Sequence, residues 1–509
     1  MIAKEKIEVL LEQILPVCKS WIKKKGEQVY FVDPIDETEI SAHYGATHIA
    51  VALVVYGKIK NQTEIYEEGI NLLESILKRW GDSEKLLSFH YDFNNFALCL
   101  IEESIQEDNS CLAEKIRSVV LKTKDSNHDT TNWLPMRWFV NKKRYEWTGE
   151  TKYLEKCGLC KEKIKRATNA DGGIEDRMPK GTSFNLQYDV ATVGVLQFLR
   201  IQGEEYDLSK ELHFLLNAVA PDGDINYQGR GCNQIFAWSL WVYLLASSGR
   251  EKELERALRF LDGKVQTMFV KHNLMLNECD GTEKHLWWDY HYCSVYSAHF
   301  ALWLALSLLD YNKSCIDDCH EQLPDDTGLH IYRSDDYFVA VFDGRKEYLA
   351  EQGPSICALW TKTHGFLFKG SFGPWQGLFG NIHCPQETVI NNYFGPICVK
   401  WNKDYQNNRF IRRFLPRLRS DATVTIKPIF VAPVIHDDSK YIILDFKMPK
   451  GTVLNIPVLS DVQWMPLILG KGLPVQVRED MFIRNQYGML KVYRSVVNHI
   501  DTLFVQIDK

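Results

Sequence analysis

Along the first three fifths of the chain, apolar residues recur at every third or fourth position, the period of a helix with one buried face. The stripes lie at about 4–22, 40–57, 63–79, 88–104, 110–123, 131–148, 151–168, 185–203, 208–218, 232–248, 251–269 and 289–312. This spacing predicts about twelve helices in six pairs. Every second helix opens on polar and aromatic residues and then turns strongly apolar: SAHYGATHIAVALVVYG, SFHYDFNNFALCLIE, TNWLPMRWFV, FNLQYDVATVGVLQFL, GRGCNQIFAWSLWVYLL and WWDYHYCSVYSAHFALWLAL. These openings recur at intervals of about 40–60 residues, the mark of a repeated supersecondary unit. The helices between them, such as EIYEEGINLLESILKRW and EKELERALRFLDGKV, carry charge on one face, as an outer solvated layer would. Two concentric layers of helices in alternation describe an (α/α)6 toroid.

Beyond about residue 320 the period shortens to two. The runs GLHIYRSDDYFVAVFD, TKTHGFLFKG, YIILDFKM, TVLNIPVL, MFIRNQYGMLKVYR and TLFVQID are β-branched and aromatic, broken by Gly, Pro and Asp turns. They predict a C-terminal antiparallel β-sandwich. A chain of 509 residues exceeds what one hydrophobic core usually supports. The expected class is therefore an α+β multidomain protein, with a toroid over 1–322 and a sandwich over 323–509 meeting near LPDDTG. No long linker separates them, so a packed interface is expected.

Composition narrows the partners. A net charge of −6 gives no basic field for a polyanion backbone, which argues against nucleic acid. An acidic glycan stays compatible, because a cleft needs only a few well-placed cations. Aromatic residues make up 12%, with 14 Trp and 23 Tyr, a supply that suits sugar stacking as well as helical cores. The segment MIAKEKIEVLLEQILPVCKSWIKKKGE is amphipathic and lacks the apolar stretch and cleavage site of a signal peptide, so cytoplasmic residence is expected. No run approaches about 18 uncharged apolar residues, and no membrane span is expected. The 13 Cys are odd in number and scattered, which fits free thiols in a reducing compartment. Cys157 with Cys160, and Cys315 with Cys319, lack the second pair and nearby histidines of a zinc knuckle, so no metal is expected. Oligomeric state has no signal in this sequence.

In a toroid the inner helices run parallel, so all six polar openings share one mouth, where helix N-termini favour anionic ligands. That mouth would collect His43, Tyr44, His48, His90, Tyr91, Asp92, Asn94, Asn95, Asn132, Trp133, Gln187, Tyr188, Asp189, Arg230, Asn233, Gln234, Trp287, Trp288, Asp289, Tyr290 and His291. The plainer alternative is that each cluster only caps its helix.

Three segments, in order, carry a resemblance: Asn132-Trp133 in TTNWLPMRW, Tyr188 after the DG loop in DGGIEDRMPKGTSFNLQYD, and Arg230 in PDGDINYQGRGCNQ. Over residues 125–250 the chain resembles the toroid-and-sandwich polysaccharide lyases, the group of heparinase-like, hyaluronate and alginate lyases. The resemblance implies β-elimination on a uronic-acid-containing glycan, with no cofactor. Removing the C5 proton leaves charge on the adjacent carboxylate, which Asn132 would neutralise. Tyr188 would take that proton and protonate the departing C4 oxygen. An ordinary tyrosine pKa is about 10, so a cation must make the phenolate accessible, and Arg230 matches that position.

One departure stands out: the stretch RMPKGTSFNLQ lacks the histidine that many of these lyases place before the tyrosine. Gln187 or Arg177 would substitute, or a histidine would arrive from another inner helix, His90 and His291 being the best placed. His364 and His383 are alternatives from the second domain. Trp133, Trp287 and Trp288 offer stacking faces, and Arg137, Gln187, Asn233, Gln234, Tyr290, His43 and Tyr44 complete the expected substrate-binding set. Trp138 and Trp238 lie deeper along their helices, as core residues would. Three other readings fit the same residues. A glycoside hydrolase would use two of Asp92, Asp189, Asp224 and Asp289 at about 5–9.5 Å separation. A uronyl C5-epimerase would begin with the same proton abstraction, and a non-catalytic protein would only bind the glycan.

Overall fold

The computed structural model describes residues 2–34, 37–41, 43–81, 90–178, 181–229, 231–270, 273–274, 292–342, 355–370, 387–392, 395–400, 434–437, 441–448, 453–465, 467–470, 473–474, 478–485, 487–496 and 501–508. Among them are twelve α-helices: α1 (Ala3–Ser20), α2 (Gly45–Lys60), α3 (Thr63–Gly81), α4 (Tyr91–Ile105), α5 (Ser110–Lys122), α6 (Leu134–Thr148), α7 (Thr151–Ala167), α8 (Leu186–Ile201), α9 (Ser209–Ala218), α10 (Ile235–Ser247), α11 (Glu251–Met268) and α12 (Cys293–Leu309). Each even-numbered helix packs on the next, and α12 returns to pack on α2, so the six close a ring. Outside it, α3, α5, α7, α9 and α11 lie on α2, α4, α6, α8 and α10, and α1 lies on α12. The expected (α/α)6 toroid is therefore present in the described helices.

Composition explains which helix takes which layer. In α11, Leu254, Ala257, Leu258, Leu261 and Val265 are buried at helical spacing, while Glu251, Lys252 and Arg259 face water. Every residue of α10 is buried, as an inner helix needs when it is flanked on all sides. The ring is filled at its axis. Phe96, Phe139, Phe198, Tyr243 and Trp303, one from each of α4, α6, α8, α10 and α12, meet at centroid separations of 4.9–6.5 Å between successive partners. This aromatic plug closes the axis of the ring to a channel.

All six inner helices point the same way. At one rim the rings of His43, His90, Trp133 and Tyr292 touch, all from amino-terminal ends. At the other rim Lys58 reaches Asp108, Asn312 N–H donates to the Ala246 carbonyl, and Gln197 Nε2 donates to the Ser314 carbonyl, all at carboxyl-terminal ends.

The stripe at about 131–148 divides into a 3₁₀ turn, Thr131–Trp133, followed by α6. Pro135 sits in the first turn of α6, where its missing N–H costs nothing, and the α-helical ladder starts beside it. Three short hairpins among the described residues, Ile22–Lys25 with Gln28–Phe31, Asp176–Met178 with Gly181–Ser183 and Phe269–Val270 with Asn273–Leu274, are additions that the periodicity does not anticipate. Among the described residues, no helix is long and apolar enough to cross a membrane.

From Leu329 onward the described elements are strands in antiparallel pairs. Leu329–Arg333, Tyr337–Phe342, Ser355–Thr361 and Gly365–Lys369 form a meander in chain order. A five-stranded sheet runs Val434–Asp437, Tyr441–Met448, Asp501–Asp508, Leu467–Gly470, Leu473–Pro474, and a three-stranded sheet runs Val453–Leu459, Gly488–Val496, Arg478–Asn485. The meander is joined to the helices. Phe338 meets Tyr227 and Phe342 meets Phe184, Arg333 donates to the Val219 carbonyl, and Asp171 accepts the N–H groups of Asp326 and Thr327.

Candidate active site

Next to the plug, on its amino-terminal side, lies a layer of buried imidazoles, His299 being 6.1 Å from Trp303. His48 Nε2 donates to the Phe93 carbonyl at 3.3 Å, which leaves its Nδ1 as acceptor for His299 Nδ1, also at 3.3 Å. Burial holds His48 down to about 3, with Phe93 pulling up and His90 pushing further down. Burial likewise holds His299 well below the usual imidazole range, so both rings are neutral. Phe236 stacks on His299 at 4.2 Å, and Tyr44 stacks on Phe93 at 4.3 Å to roof the pair.

The rim residues lie over this layer. His43 stacks on His90 at 4.2 Å, His90 lies 5.3 Å from Trp133, and Tyr292 meets His43 edge-on at 4.9 Å. Asn94 ties the α2 and α4 openings, accepting from Thr47 Oγ1 and donating to the His90 carbonyl. Tyr296, one turn into α12, lies 6.4 Å from Tyr44 and 6.0 Å from Phe236. This histidine-and-tyrosine wall is made by α12, α2, α4 and the turn before α6.

Asn132 stands in the 3₁₀ turn, which is fixed by Thr131 N–H donating to Asp176 Oδ1 at 3.1 Å. Its side chain is buried, and Oδ1 has no hydrogen-bond partner among the described residues. The turn packs against α8, whose first residues carry Gln187 and Tyr188. Asn185 caps α8 by accepting from Gln187 N–H at 3.0 Å. Among the described residues, Asn185 is the one N-cap residue of the six inner helices whose side chain bonds the first turn; the first turn of α12 is met instead by Asp33, which accepts from Ser294 N–H at 2.8 Å.

Asn226 reaches the same turn, donating to Gln187 Oε1 at 3.3 Å, to the Gly231 carbonyl at 3.0 Å and to the Gln234 carbonyl at 3.1 Å. Asn233 N–H donates to the Asn226 carbonyl at 2.8 Å. Gly229 and Gly231 both take positive φ and lie against Asn185 and Gln187, so the backbone on either side of position 230 rests on the first turn of α8. Gln234 stands at the N-cap position of α10. Arg230, Trp287, Trp288, Asp289, Tyr290, His291 and His383 lie outside the described residues.

Arg137 turns away from the rim. Its guanidinium pairs with Asp92, Nη2 to Oδ2 at 2.9 Å, and donates to the His128 carbonyl at 2.6 Å. Burial raises the Asp92 carboxyl while Arg137 draws it down. Asp189 is buried, accepts from Ile174 N–H, and is pushed well above the usual carboxylate range by burial. Burial acts to raise Asp224 too, but Lys369 beside it holds it below that range. His364 sits in the turn before Gly365–Lys369, at the opposite end of that strand from Lys369. Trp138 and Trp238 are core residues, and Cys157 and Cys160 are buried thiols on α7, each pushed up to about 12 by burial.

Asn226, Tyr296 and His299 were not singled out from the sequence. Tyr296 and His299 follow Tyr292 at helical spacing, which is a usable signal. Asn226 offers none, since its role depends on what the loop folds against.

Fold and site together define a closed (α/α)6 toroid with a cluster of polar and aromatic side chains at its amino-terminal rim, followed by antiparallel sheets. No family model and no curated protein matches the sequence. Among solved structures the chain is similar to an α-1,6-mannanase of Salegentibacter sp. HEL1_6, at 14% identity and a TM-score of 0.43, covering 61% of this chain and 100% of that one. It is also similar to a family 88 glycosyl hydrolase from Bacteroides vulgatus, at 11% identity and a TM-score of 0.41, covering 60% and 98%. A polysaccharide lyase aligns at 13% identity with a TM-score of 0.41, covering 61% and 99%.

Proposed function

We propose that this protein is a glycan-active enzyme that cleaves an acidic, uronic-acid-containing glycan by β-elimination in the amino-terminal basin. The supporting observation is Asn132: a buried amide whose oxygen has no partner among the described residues, in a turn packed against the helix that carries Tyr188. Buried polar atoms are nearly always satisfied, and an exception at a basin rim points to a ligand that completes it. Rotation about χ2 presents either end of the amide, so the NH2 group is available to a substrate carboxylate.

In the proposed reaction Asn132 binds the uronate carboxylate and stabilises the charge that develops when C5 loses its proton. The Tyr188 phenolate accepts that proton. The C4–O bond breaks as the C4–C5 double bond forms, and Tyr188 returns the proton to the leaving oxygen. Arg230 is assigned to keep the phenolate accessible. His90, in contact with His43 and Trp133, is the imidazole we assign to the substrate side, with His291 as the other candidate. Trp133, His43, Tyr44, Gln187, Asn233 and Gln234, with Trp287, Trp288 and Tyr290, are assigned to binding. Arg137 is reassigned to hold Asp92 and the His128 loop.

Elimination is favoured over hydrolysis by what surrounds the carboxylates. Asp92 faces Arg137, Asp224 faces Lys369, and Asp189 is buried and accepts from Ile174 N–H, so these three are engaged in structure. The same proposal takes residues 1–322 as the catalytic domain, 323–509 as a β-sandwich domain, and the cytoplasm as the location.

The test is to incubate purified protein with a panel of acidic polysaccharides and follow ultraviolet absorbance of the new C4–C5 double bond. Absorbance should rise with one of them, and Tyr188→Phe should abolish the rise while folding normally. New reducing ends without absorbance would replace elimination with hydrolysis. Solvent deuterium uptake without cleavage would indicate epimerisation.

A further inference from the structure

The loop between α9 and α10 is gripped by the strand-rich half of the chain. Asp224 is fully buried; its Oδ1 accepts from Asn226 N–H at 2.7 Å and from Trp238 Nε1–H at 3.0 Å. Its Oδ2 lies 2.9 Å from Lys369 Nζ and 2.6 Å from the Tyr487 hydroxyl. Lys369 also reaches Asp222 at 2.6 Å, and its ammonium is bordered by the rings of Phe260, Phe366 and Tyr487. Lys369 ends the strand Gly365–Lys369, whereas Tyr487 lies in the turn between Arg478–Asn485 and Gly488–Val496. Two separate hairpins therefore converge on one carboxylate of the toroid.

From Asp224 the chain of hydrogen bonds continues inward. Asn226 takes its N–H to Asp224 and its side-chain amide to Gln187, Gly231 and Gln234. Its carbonyl accepts from Asn233 N–H and lies 2.9 Å from the Tyr487 hydroxyl. Without the ammonium, a fully buried Asp224 carboxylate would have to take up a proton or admit water, and the loop geometry that depends on it would relax.

We propose that Lys369 and Tyr487 are positioning residues for the basin: the strand-rich half sets the Gly229–Gln234 turn and, through Asn226, the first turn of α8 beside Tyr188. This assignment deepens the proposed function and rests on it for any effect on turnover. The contact is more than an anchor between two halves, because its hydrogen bonds end on the residue adjoining the proposed proton carrier.

The experiment measures backbone amide exchange by mass spectrometry on the full chain and three variants. Tyr487→Phe should speed exchange at 185–189 and in the 226–234 loop by about tenfold, the effect of one lost hydrogen bond on a local opening, and Lys369→Met, which leaves the buried Asp224 carboxylate unpaired, should speed it further. The carboxyl-terminal half of α10 should keep its wild-type protection. Asn226→Ala should loosen the same two segments while Gly365–Lys369 stays protected. Should Lys369→Met fail to fold, Tyr487→Phe keeps the ion pair and carries the test alone. Faster exchange limited to the strands, with 185–189 and the loop at wild-type rates, overturns the proposal. No substrate enters this measurement, so a chain that shows no elimination but the expected exchange pattern would sink the proposed chemistry and leave the positioning role standing.

Discussion

Asn132 sets stability against activity at a single side chain. A buried amide atom without a partner among the described residues costs about 1–3 kcal/mol, which a ligand that completes it would recover. Asn132→Ala should therefore lower kcat by roughly 100- to 1000-fold, as loss of one charge-stabilising donor does. Its melting temperature should be unchanged or higher. A calorimetric scan beside the absorbance assay checks both, and a clear loss of stability with activity retained would remove Asn132 from the site. Residue types at the rim were legible in the sequence, because Asn132, Gln187 and Tyr188 each precede an apolar run. Their partners were not. Arg137 and Asp92 look equally suited to a ligand until the fold joins them to each other, and Asp224 looks like a catalytic acid until Lys369 arrives from 145 positions away.

Turns between helices decide where those side chains stand. Gly231 has φ +79°, and a Cβ there would lie 2.4 Å from Gln187 Nε2. Gly231→Ala should destabilise the protein by about 1–3 kcal/mol through backbone strain and displacement of Gln187. Gly158, inside α7, is the control: a methyl group added there would meet nothing within 4 Å, and Gly158→Ala should stabilise by about 0.5–1 kcal/mol. Chemical denaturation of the two variants tests the contrast, and equal effects would sink the steric account. The helices themselves were readable from spacing, since the outer ones bury one stripe and the inner ones run apolar almost without interruption. Their ends were less so: the turn at Thr131–Trp133 depends on Pro135, visible in sequence, and on Asp176, which is brought to it only by the fold.

For the molecule as a whole, the buried layer under the basin makes stability depend on pH. His48 is held down to about 3 by burial, while in the unfolded chain it titrates near the ordinary 6.5, so below that pH protons bind mainly to the unfolded state. The stability present in full above about pH 6.5 is therefore lost as pH falls toward 3, by roughly 2–3 kcal/mol at pH 4.5. Glu211, which burial pushes up to about 7, acts in the opposite sense: its contribution is full below about 4.5 and is lost as pH rises through 7. Thermal melts across this range should show an acid-side decline that His48→Gln flattens and an alkaline-side decline that Glu211→Gln flattens. An acid limb unchanged in His48→Gln would remove the imidazole layer from the account.

By itself the sequence determined the period of each helix, the alternation of layers, and the polar opening of every second helix, because these follow from side-chain chemistry acting within a few turns. The His48–His299 contact and the convergence of Asp224, Lys369 and Tyr487 were decided by the tertiary structure alone. Such pairs are separated by 145 to 263 positions, and periodicity carries no information about which distant side chain a buried charge or imidazole will meet.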